Sequence, residues 1–92
     1  MASTTQNINV TQNSIIKFAI EYCMQWSYEP RAFSLRDELS TAYSESEIEM
    51  IESSGGVYNV YVNNDQIFDK IASDRFPNDG EILALVERFN FI

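Results

Sequence analysis

The sequence predicts an α/β fold of two layers: a four-stranded mixed sheet with two helices on one face, in the order β-α-β-β-β-α. Three observations predict it. A mostly apolar run, Ile15, Ile16, Phe18 and Ile20, has the period of a strand and stops just before Cys23. Two stretches, one after Pro30 and one after Gly80, repeat their apolar residues at helical spacing. Between them lie three short runs, bounded by Ser, Gly, Asn or Asp, that alternate polar with apolar or are β-branched and aromatic.

Ser14 to Tyr22 forms the first predicted strand. Ile16, Phe18 and Ile20 fall on one face, and Ile15, Lys17, Ala19 and Glu21 on the other, which suits the interior of a sheet. Residues 23–29 are expected to form a loop. Pro30 fits a first helical turn, where its missing N–H costs nothing. Ala32, Leu35, Leu39 and Ala42 then mark the apolar face of a helix of roughly three to four turns, with Phe33 and Tyr43 on its flanks. Ser44 to Ser46 break it. Glu47, Ile48, Glu49 and Met50 alternate acid with apolar residue, as a half-buried strand does. Glu52 to Gly56 is a loop whose paired glycines open backbone angles closed to other residues. Val57 to Val62 is the third strand, Asn63-Asn64-Asp65 a hairpin turn, Gln66 to Ile71 the fourth strand and Ala72 to Pro77 a loop. Asn78 and Glu81 are spaced as a capping box, and Ile82, Leu85, Val86 and Phe89 face the core from the second helix. The first crossover should be right-handed and make strands one and two parallel. The result is close to a minimal thioredoxin-like fold.

Length and charge narrow what such a fold does. At 92 residues there is room for one small domain. Met1 to Asn13 carry no charged side chain and few large apolar ones, so residues 1–13 are expected to be a flexible lead-in and 14–92 the domain. The net charge is −8, and the six basic residues are scattered, so nucleic acid and acidic membrane surfaces are not expected partners. One cysteine excludes an intramolecular disulfide and points to a reducing, cytoplasmic compartment. No run approaches the roughly 18 apolar residues of a membrane span. Without histidine, imidazole metal sites and Ser-His-Asp chemistry are excluded, and no metal is expected. The acids Glu45, Glu47, Glu49 and Glu52 form an extended row, better suited to a solvated strand face than to a closed cation shell.

Four stretches, in order, resemble the selenoprotein W-like (Rdx) family of small thioredoxin-fold proteins. They are Ile20-Glu21-Tyr22-Cys23 ahead of a helix with Arg31, the loop Ser53-Ser54-Gly55-Gly56 leading into Val57-Tyr58-Asn59-Val60, the hairpin Val62 to Asp69 ending near Lys70, and Phe76-Pro77 before the last helix. The resemblance spans about residues 14–90. It implies thiol- or selenol-dependent activity linked to glutathione and antioxidant defence, through Cys-x-x-Cys or Cys-x-x-selenocysteine. Cys23 matches the first position of that motif. Trp26 stands at the second, in Cys-Met-Gln-Trp, and Arg75 stands where the family tends to have glycine.

Two functions of different class follow. A thiol between a strand and a helix N-terminus is placed for redox chemistry, because free N–H groups there favour the thiolate. A dithiol cycle needs a second thiol to open the mixed disulfide, and the chain has none. Cys23 is then either an inert residue or the nucleophile of a monothiol protein, with glutathione as co-substrate and no bound cofactor. Arg31 is the cation nearest in sequence that would help it; Glu21 and Glu29 oppose it. Alternatively, the site is redox-degenerate and binds a protein partner. Met24, Gln25, Trp26 and Tyr28 would form the docking loop, with Gly55, Gly56 and Phe76 alongside, unless Trp26 folds back to cap the core. In that case the protein is not an enzyme, and a monomer or a weak homodimer is expected.

Overall fold

In the computed structural model, which describes residues 15–89, seven elements follow one another. They are β1 Lys17–Cys23, α1 Glu29–Ala42, β2 Glu47–Ser53, β3 Tyr58–Val62, β4 Asp65–Asp69, α2 Lys70–Ser73 and α3 Glu81–Arg88. The four strands form one mixed sheet in the order β2-β1-β3-β4. β1 is parallel to β2 and antiparallel to β3, and β3 and β4 form an antiparallel hairpin. This is the two-layer thioredoxin-like α/β fold that the pattern of elements predicts. The expected lead-in, residues 1–13, lies outside the described residues.

Register explains the core. Phe18 pairs with Val62, Ile20 with Val60 and Tyr22 with Tyr58, so all six side chains share one face of the sheet. Ala32, Leu35 and Leu39 of α1 and Ile82 and Val86 of α3 pack onto that face in a single buried cluster. Both long helices are therefore on one side. On the other, Glu21 accepts hydrogen bonds from Asn59 Nδ2 at 3.0 Å and from the Tyr61 hydroxyl at 3.3 Å. β2 is an edge strand, and its exposed Glu47, Glu49 and Glu52 blunt that edge with charge.

Several boundaries differ from the sequence pattern, each for a local reason. Cys23 is the last residue of β1, not part of a loop. Its N–H donates to Val57 O at 2.9 Å, a long-range bond that holds the strand one residue further. β4 stops at Asp69 instead of running to Ile71. The Asp69 carboxylate accepts from the N–H groups of Ile71 and Ala72 and starts the short helix α2, where a loop was expected. Ala42 is exposed at the end of α1. Asn63 and Asn64, both with positive φ (49° and 74°), make the two-residue hairpin turn. Before α3 the Glu81 carboxylate accepts from the Asn78 N–H at 2.8 Å, but no side chain caps the helix from the other direction.

Candidate functional site

The site is built where β1 ends. A turn over 24–27 carries the chain from Cys23 to α1, and Ser27 takes a left-handed backbone (φ 58°) to make it. The Met24 N–H donates to Ser53 O at 2.9 Å, tying this turn to the end of β2 and so to the glycine loop. Gly55 and Gly56 both have positive φ, at 76° and 74°. Their settings differ: Gly55 is open on its Cβ side, whereas a Cβ on Gly56 would lie 2.6 Å from the Trp26 ring. The indole is therefore seated on Gly56.

Cys23 is fully buried, with 0% of its surface exposed. Burial pushes its thiol up, yet the backbone N–H groups of Gly56, Gln25 and Trp26, helped by the Lys70 ammonium, outweigh burial and hold it below the ordinary thiol range. Those donors stabilise a sulfur anion as a helix N-terminus would. The charge that acts on the thiol is that of Lys70 and not that of Arg31, the cation nearer in sequence.

Beside the thiol runs a ladder of rings. Trp26 meets Tyr28 edge-on with centroids 6.3 Å apart, Tyr28 meets Phe76 at 4.8 Å, and Phe76 meets Tyr58 at 5.3 Å. The guanidinium of Arg31 lies 4.1 Å from the Phe76 centroid, and the Lys70 ammonium 5.3 Å from it. The Tyr58 hydroxyl donates to Arg31 O at 3.2 Å, and burial pushes its pKa up to about 12, so it stays neutral. The rings differ in exposure. Trp26 is 60% exposed, Phe76 half-buried, and Tyr28 and Tyr58 buried. A cleft of about 270 Å³ continues from the far end of the ladder, lined by Arg31, Leu35, Tyr58, Phe76, Pro77 and Ile82.

The structure thus brings Cys23, the amides of Gln25 and Trp26, Gly56, Tyr28 and Phe76 together at one end of the sheet. Met24 is half-buried beside the core, the Gln25 side chain is exposed, and Gly55 is exposed at the loop tip. Sequence reasoning missed Lys70 and Tyr58. Lys70 had no signal linking it to Cys23, since 47 positions separate them. Tyr58 was read as a strand residue, which it also is. Among the described residues no cluster of metal-ligating side chains occurs, and no helix is long and apolar enough to cross a membrane.

The topology and the position of the thiol meet in one comparison: the model of the Rdx family matches residues 17–88. The chain belongs to the Rdx family. No curated protein matches its sequence. Among solved structures it is similar to a selenoprotein W-related protein from Vibrio cholerae, with TM-score 0.77 and 23% identity over 82% of this chain and 96% of that one. It is also similar to a protein from Bordetella parapertussis, with TM-score 0.72 and 25% identity over 82% of this chain and 98% of that one. Both likenesses show the fold. This Rdx chain is a thioredoxin-like, redox-related domain with one cysteine, and its single tryptophan stands three residues further on.

Proposed function

We propose that this Rdx domain is redox-degenerate and acts as a protein-binding module through the loop Cys23–Tyr28, with Gly55, Gly56 and Phe76 on its flanks. One observation carries the proposal. At the two ends of Cys-Met-Gln-Trp the thiol is 0% exposed and the indole is 60% exposed. What the site offers a visitor is therefore an aromatic surface. Trp26 is backed by Tyr28 and, through it, by Phe76, so little side-chain freedom is lost when it is buried by a partner. The partner is a protein, either a different chain or a second copy.

A monothiol, glutathione-linked activity is the second reading, favoured by the backbone N–H groups of Gly56, Gln25 and Trp26 that hold the thiol below its ordinary range. In that chemistry the Cys23 thiolate attacks oxidised glutathione. A Cys23–glutathione disulfide forms and one glutathione leaves as thiolate; in turnover the attacked disulfide is one between glutathione and a substrate thiol, which leaves reduced, and a free glutathione thiolate then regenerates Cys23 and releases oxidised glutathione. One set of measurements separates the two. Proteins captured from cell extract are identified and titrated against the wild type and Trp26→Ala, while intact mass is followed after addition of oxidised glutathione. Docking predicts an affinity loss of about tenfold or more in Trp26→Ala, with no rapid adduct. A rapid adduct, together with equal affinity of both proteins, would make this a monothiol redox protein. A mass that depends on protein concentration, lost in Trp26→Ala, would identify a second copy as the partner.

A further inference from the structure

Two facts about Trp26 do not follow from docking. Its ring is seated on Gly56, whose neighbour Val57 accepts the Cys23 N–H at 2.9 Å, and the backbone N–H groups of Gly56 and of Trp26 itself both help to hold the Cys23 thiol low. The segment that carries the indole is also strained. Ser27, immediately after Trp26, adopts φ 58°, a region that costs a residue with a side chain free energy and that surrounding contacts must hold. Release of the turn relieves that angle. The thiol, meanwhile, is wholly out of reach of solvent.

We propose that Trp26 is a lid over Cys23, seated on Gly56 and hinged at Ser27, and that lifting it exposes the thiol. The inference rests on the docking reading for what lifts the lid: a partner that takes the indole uncovers the sulfur. Three observations combine. The indole is half in water, so it moves without dismantling the core. Its seat is a glycine, and no larger residue leaves room for the ring. The donors at the sulfur come mainly from backbone, and that of Gly56 belongs to the loop beneath the lid, not to the lid. The Lys70 charge and the Gly56 amide therefore remain at the thiol when the ring departs.

The test is the rate at which iodoacetamide alkylates Cys23, the single cysteine, in the folded full-length chain. Four proteins are compared: wild type, Trp26→Ala, Gly56→Ala and Gly55→Ala. Trp26→Ala removes the lid. Gly56→Ala places a methyl group 2.6 Å from the ring and unseats it. Gly55→Ala is the control: it has nearly the same positive φ, but nothing lies within 4 Å of its Cβ. The expected result is alkylation about tenfold faster in Trp26→Ala and in Gly56→Ala than in wild type, with Gly55→Ala near wild type. In Gly56→Ala the emission of the single tryptophan should also shift to the red. Thermal melts before the reaction confine the comparison to folded protein. Where one lid variant fails to fold, the other decides. Equal rates in wild type and Trp26→Ala overturn the lid, as does acceleration by Gly55→Ala as large as by Gly56→Ala. Lost partner affinity in Trp26→Ala with no change in alkylation would sink the lid and leave docking standing.

Discussion

The helix-covered face of the sheet and the rim at its Cys23 end are built by opposite rules. On the covered face Phe18, Ile20, Tyr22, Val60 and Val62 are each at most 2% exposed, and strand register fixes every neighbour. At the rim the chain comes from four separate stretches, near Cys23, Gly56, Lys70 and Phe76, and its largest side chain stands in water. The first region invests apolar area in stability. The second holds a ring surface and a thiol in place, with Cys23, Tyr28 and Tyr58 buried behind an exposed Trp26. A substitution of similar size should therefore have very different consequences in the two.

The largest effect is expected on the covered face. Ile20→Ala, at 0% exposure, removes buried methyl groups that the long helices cannot fully replace, at a cost of about 2–5 kcal/mol. Trp26→Ala removes more atoms but from a side chain mostly in solvent, and what it loses is chiefly the ring contacts to Tyr28 and Gly56. About 1 kcal/mol is expected. Urea midpoints of the two variants at unchanged slope measure the difference. If Trp26→Ala is as costly as Ile20→Ala, the comparison breaks, and Trp26 is a cap on the core and not a surface for a partner.

The same division explains what is legible in the amino-acid sequence alone. The covered face was legible because period-two alternation at Phe18 and Ile20 and period-3.6 spacing at Leu35, Leu39, Ile82 and Val86 are local signals. The parallel pairing of β1 and β2 followed from the crossover rule. The rim was legible only in its parts. Cys23 and Trp26 stand out as the single residues of their kind, but nothing local shows that one is buried and the other exposed. The sequence pattern ends β1 one residue early because the bonds that hold Cys23 and Met24 come from Val57 and Ser53, far along the chain. α2 has four residues, too few for a period to show, and its signal was the Asp69 cap at the end of what looked like a strand. Lys70 acts on the thiol through its charge from the first position of that helix, so the helix and the charge escape local reading together.

The smallest expected effect concerns how the rim is fastened to α3. Arg75 and Glu81 form a two-pronged ion pair, with 2.7 and 2.8 Å between nitrogen and oxygen, and the same carboxylate accepts from the Asn78 N–H. These contacts clasp the segment that contains Phe76, on which the ring ladder depends. The Arg75 guanidinium and the Asn78 N–H pull the Glu81 carboxyl from its usual 4.5 to about 2. A carboxyl whose folded pKa is depressed stabilises the fold at every pH above its unfolded value. That contribution fades as pH falls from about 4.5 through about 2, where the folded group takes up its proton. Glu81→Gln has no such proton to gain. Stability curves from pH 7 to pH 2 should therefore run parallel for wild type and Glu81→Gln above pH 5, with the wild type higher, and converge below it. Solvent reaches both partners of this rim pair and screens it, so the gap falls well below what the same shift would give for a buried group and should be smaller than that caused by Trp26→Ala. If the gap stays constant down to pH 2, the clasp does not hold its charge as described. If the gap exceeds that of Ile20→Ala, the rim contributes to stability on the scale of the core, and the contrast between the two regions fails.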